Sequence, residues 1–460
     1  MKKIILHPFL FVIYPILFLT AHNNLEVLTY ALKPMIFVLL ITFSLFFLVN
    51  HFLKNNYKTG IILTLLIIIF YQRGCKLTGN TLILYLITII LFLFALIYIV
   101  FRTKKDLRDI TSVLNLISIL ILCFVIFSLV KNKIYYLDIN SYNYKPVQMQ
   151  KNKSKTKLPD IYYIIPDEYA DYNVLKNEFN YKNDEFYEFL NKKGFFIAKK
   201  CHSNYPVTDH SIPSSLNMDY LENFVSKKDL NNYDYRYFYY MLDSKVSRFL
   251  KAKGYKYVLI ENSWQIARNK NDSLLTKSPD ILIKCPRLDY FTVELIRKTL
   301  LRFTLTDFIL KKIREENLCA FSEIQKTIKL ESPKFVFVHI ITPHPPYVFD
   351  RYGNFRGSYN LLNKNKAVSR AAYRDQLIYV SKLLENTINT LLADKKSEKI
   401  IIIQSDHGPK SLCPNFKYDN FIAIYDKSNT GNFFYDTMTP VNIFRIIFNK
   451  YFHTNYKTLK

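Results

Sequence analysis

The chain has 460 residues, 63 Lys and Arg against 37 Asp and Glu, a net charge of +26 and a 50% hydrophobic share. That apolar content excludes a disordered or low-complexity chain. The basic excess does not mark a nucleic-acid binder, because no RNA or DNA module motif occurs and Lys and Arg interleave with Tyr and Asn instead of forming a stripe. Attraction to anionic lipid head groups fits it better.

The apolar residues are concentrated in five runs near the N-terminus, at 4–21, 35–53, 58–71, 81–101 and 112–130. A membrane-spanning helix needs about 20 mostly apolar residues. Four runs meet that length, and the third is short at its core. Lys2, Lys3, Lys54, Lys58, Arg102, Lys104, Lys105 and Arg108 fall on one side of such a bundle, against Lys33, Arg73 and Lys76 on the other. By the positive-inside rule the N-terminus is cytoplasmic and the chain after a fifth span lies outside. The first run resembles a signal peptide, yet "FLTAHNN" has no small-x-small cleavage site, so it reads as an anchor. Parity decides the topology, since four spans would leave the C-terminal part in the cytoplasm.

Residues 1–131 therefore read as a transmembrane domain and the Lys- and Asn-rich 132–157 as a linker. Residues 158–460 have the length of one domain or slightly more. Cys201, Cys285, Cys319 and Cys413 would be extracytoplasmic, where up to two disulfides could form; their spacing makes no metal knuckle and leaves the pairing open.

Four runs in the outer part read as buried strands that end in polar residues. "DIYYIIPDEY" (160–169) leads to Asp167 and Glu168, and "KYVLIENSW" (256–264) follows an amphipathic helical stretch. "KFVFVHIITPHPPY" (334–347) runs into a proline-stiffened loop with His344, and "KIIIIQSDHGP" (399–409) leads to Asp406, His407 and Gly408. Continuous apolar strands separated by helical segments predict a mostly parallel sheet covered on both faces. Ligands of such sheets bind at the carboxyl ends of the strands. Asp167, His344, Asp406 and His407 all stand there. Asp and His on a tight Gly turn can serve one ion, and carboxylate with imidazole suits zinc or manganese ahead of magnesium or calcium. Thr208, in "CHSNYPVTDHSIPSSLNMDY" (201–220), precedes a helix predicted to begin near Ser211–Pro213, whose N-terminal N–H groups favour an anion.

Taken together, "PDIYYIIPDEYA", "SNYPVTDHSIPSSLNM", "HIITPHPPYVF" and "IIIIQSDHGP" resemble, in that order, the sulfatase-like branch of the alkaline phosphatase superfamily. With five spans ahead, the chain looks like membrane-anchored lipoteichoic acid synthases and phosphoethanolamine transferases. "TPVNIFRIIFNKYF" (439–452) is similar to the closing segment of such proteins. The resemblance implies a five-helix transmembrane bundle followed by an α/β sulfatase-like domain with a mostly parallel central sheet. It places the metal ligands on Asp167, Asp406 and His407, the nucleophile and fourth ligand on Thr208, and a further catalytic histidine on His344, with His339 at an earlier position. Two departures matter. Asp167 stands where the transferases usually carry glutamate, and Cys201 lacks the Pro and Arg of a formylglycine setting.

The implied activity is metal-dependent transfer of a phosphoethanolamine or phosphoglycerol type substituent, from a membrane phospholipid to a surface glycan or lipid, through a phospho-threonine. A phosphodiesterase, phosphatase or sulfatase of the same superfamily is the first alternative, and a degenerate glycan-assembly partner the second. The expected location is a multi-pass cytoplasmic membrane protein with its catalytic domain outside.

Overall fold

The computed structural model describes residues 4–22, 28–71, 80–140, 158–225, 240–262, 278–357, 366–428 and 433–459. Lys2, Lys3, Arg73, Lys76 and most of the expected linker lie outside them. The chain divides into two compact units, one of residues 1–146 with 288–306, the other of residues 147–287 with 307–460.

The first unit contains helices α1 (His7–His22), α2 (Leu28–Leu53), α3 (Asn56–Phe70), α4 (Asn80–Arg102) and α5 (Arg108–Asn140), joined by α10 (Tyr290–Arg297), which follows the elements of the second unit in number. Polar contacts tie one end of the bundle. Asn115 of α5 accepts from the backbone N–H of Leu6 and His7 at 3.0 and 2.9 Å, and Thr59 of α3 meets Asn50 of α2 at 3.2 Å. Lys58 donates to the Phe101 carbonyl at the end of α4, 2.7 Å away. Starts of odd helices thus meet ends of even ones, an up-and-down arrangement. Two stretches, 31–53 and 108–131, are long and apolar enough to cross a membrane; 7–21, 56–70 and 87–102 are shorter apolar helices. The physical reason is plain for α3: its 15 residues rise about 22 Å at 1.5 Å each, less than a hydrocarbon core of about 30 Å.

The second unit is a seven-stranded sheet flanked by helices. Its strands are β1 (Asp160–Pro166), β2 (Phe195–Ile197), β3 (Lys256–Glu261), β4 (Ile281–Lys284), β5 (Lys334–Ile340), β6 (Lys399–Gln404) and β7 (Ile422–Asp426), in the order β2-β7-β6-β1-β5-β3-β4. The pairs from β6 through β1, β5 and β3 to β4 are parallel, and β7 runs antiparallel to both neighbours. The sheet is therefore mixed but mostly parallel. Successive β1 residues point to opposite faces, as a strand requires. Ile161, Tyr163 and Ile165 pack with Ile212, Leu216, Phe444 and Phe448, from α8 (Thr208–Asn217) and α13 (Pro440–Phe452). Tyr162 and Ile164 pack with Leu175, Phe321, Tyr373 and Leu384 on the other side. Those four come from α6 (Tyr172–Phe179), α11 (Arg302–Lys326) and α12 (Lys366–Ala393), while α7 (Asp184–Lys192) and α9 (Lys245–Ala252) complete the two layers.

The four predicted strands form the centre of this sheet. Cys285 and Cys319 are disulfide-bonded, and Cys201 and Cys413 are free and buried. The helix after Thr208 begins earlier than the sequence suggests. Val207 is extended (φ −142°, ψ 143°), and its carbonyl already accepts from His210 and Ser211 at 3.1 and 2.9 Å. Thr208 is thus the first helical residue, and Pro213 lies inside the helix instead of at its start.

Candidate active site

Asp167, Thr208, Asp406 and His407 come together at the carboxyl ends of β1 and β6. Parallel pairing puts these ends side by side, with Ile164 opposite Ile403. The β1–β5 ladder continues one residue past β1, where Asp167 N–H donates to the Ile340 carbonyl at 2.9 Å. Potential ligand atoms of Asp167, Asp406 and His407 lie within 4.8 Å of one another, and all three residues are buried.

The local chain positions each donor. Thr208 Oγ donates to Asp406 Oδ2 at 2.6 Å and lies 3.4 Å from His407 Nε2. Its own N–H, first in the helix, has no acceptor within the helix. The other Asp406 oxygen accepts from the backbone N–H groups of Glu168 and His407 at 3.1 and 2.9 Å, and the Asp406 carbonyl takes the Ser211 hydroxyl at 2.5 Å. His407 Nδ1 is 2.9 Å from the Gly408 carbonyl. That contact places the ring proton on Nδ1 and leaves the Nε2 lone pair facing the carboxylates, the tautomer a ligand needs. Gly408 has no room for a side chain. A Cβ there would stand 1.9 Å from the Phe416 carbonyl oxygen and 2.7 Å from that of Asp419. Gly408→Ala should therefore displace the turn and lower stability, checked by thermal unfolding of the variant beside the parent protein.

Asp167 Oδ1 is buried and has no hydrogen-bond partner among the described residues. Burial raises the Asp167 carboxyl, but His344, His339 and His407 outweigh it and hold the group well below the usual carboxylate range. Two buried carboxylates, one with an orphaned oxygen, facing an imidazole lone pair form a donor set that fits a divalent cation.

His344 is held differently. Its N–H donates to the Asp167 carbonyl at 3.1 Å, and its Nδ1 lies 2.6 Å from the Pro345 carbonyl. Burial lowers its pKa, yet Asp167 and Glu168 outweigh that, so the ring is more basic than usual. The side chain of Glu168 turns to Ser411, whose hydroxyl donates at 2.7 and 2.9 Å, and its backbone is in the left-handed region (φ 56°). Two contributors carried little weight in the sequence. His339 Nε2 is 3.4 Å from Asp167 Oδ2, and Asn262 holds the same histidine by its Nδ1 at 3.2 Å. The strand-end rule that found Asp167 also finds His339 at the end of β5. Ser211 offered no signal apart from its place one turn after Thr208. Cys201 stands outside the cluster, with its thiol donating to the Asn420 carbonyl at 2.6 Å and its pKa pushed up by burial.

Two carboxylates, an imidazole and a helix-borne hydroxyl at adjoining strand ends of an α/β domain form a buried group that could hold a metal ion. A sequence model of the sulfatase family matches residues 177–420, over half of the chain, and the chain belongs to that family. The match includes Thr208, His344, Asp406 and His407 and begins after Asp167. No curated protein sequence matches it. Among solved structures, the C-terminal periplasmic domain of EptC from Escherichia coli in complex with zinc is 13% identical (TM-score 0.46; 65% of this chain, 84% of that one). A phosphonate monoester hydrolase of Agrobacterium radiobacter is 13% identical (TM-score 0.44; 64% and 73%). The membrane protein lipooligosaccharide phosphoethanolamine transferase A from Neisseria meningitidis is also 13% identical (TM-score 0.39; 84% and 85%).

Proposed function

We propose that this sulfatase-family protein is a membrane-anchored, metal-dependent transferase that moves a phosphoryl substituent of the phosphoethanolamine or phosphoglycerol type from a phospholipid to a surface glycan or lipid. The observation that carries this reading is the Thr208 hydroxyl at the first position of α8, within 2.6 Å of Asp406 and 3.4 Å of His407. A threonine hydroxyl is a weak nucleophile until its proton has an acceptor and its oxygen a fixed direction. Both are in place.

In this scheme Thr208 Oγ attacks the phosphorus of the lipid phosphodiester and gives its proton to Asp406 Oδ2, which already accepts its hydrogen bond at 2.6 Å. The new Oγ–P bond replaces the P–O bond to diacylglycerol, whose alkoxide takes a proton from His344. The N-terminal N–H of α8 faces the phosphoryl oxygens. An acceptor hydroxyl then attacks the same phosphorus and gives its proton to the now neutral His344, while Thr208 Oγ leaves and takes its proton back from Asp406. A divalent cation held by Asp167, Asp406 and His407, zinc or manganese by this donor set, supplies charge neutralisation and a more acidic Thr208 hydroxyl when bound. Chelation should abolish release of label from phosphatidylethanolamine or phosphatidylglycerol, and added zinc or manganese should restore it. Activity that survives exhaustive chelation would sink the metal assignment.

Family membership favours a second reading, hydrolysis, in which water is the acceptor. A purified enzyme that releases head group equally with and without a glycan or lipid acceptor would establish it.

The same proposal has the first unit cross the membrane five times, with residues 158–460 outside. The Cys285–Cys319 disulfide supports an oxidising compartment. A reporter fused after Lys131 should be active only in its extracytoplasmic form. Replacing both cysteines by serine should cost about 2–4 kcal/mol of stability, measurable by thermal unfolding. If the protein isolated without reductant has both thiols open to alkylation, the compartment is reducing.

A further inference from the structure

We propose that the first unit holds one bilayer phospholipid in a cavity between α1, α3 and α10, its phosphate at Lys298 and an acyl chain along the helices. This rests on the membrane reading above, though not on the transfer chemistry. The cavity encloses about 460 Å³, within the size range of small-ligand sites. Pro15 and Phe18 of α1, Ile67 of α3 and Leu295 of α10 give it hydrocarbon walls. The segment carrying Leu295 is fixed in place. Phe291 is buried in a cluster with Ile16, Leu19 and Ala31, and Leu300 N–H donates to the Phe70 carbonyl at 3.1 Å.

Two polar groups distinguish this cavity from a simple packing gap. Tyr71, at the C-terminal end of α3, lines it with a buried hydroxyl that has no hydrogen-bond partner among the described residues. Lys298, directly after α10, is the lining cation. Glu294 is shared by Arg297 at 3.2 Å and Lys298 at 3.4 Å, so among the described residues at this end of α10 two cations share one carboxylate. An ammonium and a phenol can both donate, and a phosphodiester offers only acceptors. A slot of hydrocarbon ending in donors and net positive charge is complementary to a glycerophospholipid. Both α1 and α3 end here, which by the proposed topology is the outer leaflet.

The test uses the full chain in nanodiscs of phosphatidylethanolamine and phosphatidylglycerol, with a trace of phosphatidylethanolamine carrying a diazirine in one acyl chain. After irradiation, cross-links should concentrate on peptides containing 11–19 and 67–71. Lys298→Gln should lower them about fivefold or more, and Lys298→Arg should preserve them. Leu295→Trp, which fills the slot, should lower them as well. Cross-links spread evenly over α2, α4 and α5, or unchanged in Lys298→Gln, would overturn the proposal. So would equal labelling by a diazirine dialkylglycerol, which has no phosphate. The readout needs no turnover. Thr208→Ala should label like the parent protein, so failure of the transfer chemistry and failure of this site give different results.

Discussion

Thr208→Ala should lower head-group release by at least about 10³-fold while the protein stays folded. In the proposed chemistry Thr208 is the nucleophile, and its removal takes away the covalent route and leaves only the residual catalysis of a polar site. The structural cost is small because Thr208 is only partly buried, at the first turn of α8, and Asp406 keeps its bonds from Glu168 and His407 when the hydroxyl is gone. A loss of about 1–2 kcal/mol is expected, that of an ordinary cap or surface hydrogen bond. Thermal unfolding in detergent would separate the two effects. Cys201→Ala is the control. Its thiol is buried against the Asn420 carbonyl and is no part of the cluster, so turnover should persist. An active Thr208→Ala together with a dead Cys201→Ala would replace the proposed chemistry by one centred on the cysteine. A covalent adduct gives a more direct check, since rapid quenching with labelled donor should leave label on the peptide that contains Thr208.

The centre of this fold was legible because its strands are long and apolar on both faces. β1, β3, β5 and β6 meet that description, and their adjacency brings Asp167 to Asp406 across 239 positions of sequence. β2 has three residues and β4 four, too few for a period to show, and β7 lies antiparallel at the far side of β6. The start of α8 misled for a chemical reason. Proline is commonest at the first helical position, whereas here Pro213 sits five residues beyond it and the cap is Val207, which has no side-chain acceptor. Nothing local pairs Cys285 with Cys319, because that bond depends on how α11 packs beside β4. The return of 288–306 to the first unit is equally non-local. Its one trace is the amphipathic "YFTVELIR", whose Phe291 finds its partners some 270 residues earlier in the chain.

Lys334→Met should be the most destabilising single change in the second unit outside the site. Lys334 and Asp160 form an ion pair at 2.6 Å with 1% and 0% of their side-chain surfaces exposed. They sit at the amino ends of β5 and β1, opposite the strand ends that carry the Asp167, Asp406 and His407 cluster. Asp160 also accepts from the Lys334 N–H at 3.1 Å and from the hydroxyls of Ser332 and Ser397 at 3.0 and 2.6 Å. One carboxylate thus ties β1, β5 and the turn into β6. Removing the lysine leaves a buried carboxylate without its counter-charge, a loss of about 3–5 kcal/mol. For a domain of this size that lowers the unfolding temperature by roughly 6–20 °C. Asp160→Asn should cost less than Lys334→Met, because the amide keeps an acceptor for one hydroxyl and the lysine still reaches the Leu330 carbonyl at 3.2 Å. The double variant Asp160→Asn, Lys334→Met should be more stable than the sum of the single losses predicts, since neither charge is then stranded. Simple additivity would mean that the pair is not the clamp described here. Metal content and head-group release per folded molecule should be unchanged in all three variants, because the amino and carboxyl ends of β1 are separated by its full seven-residue length.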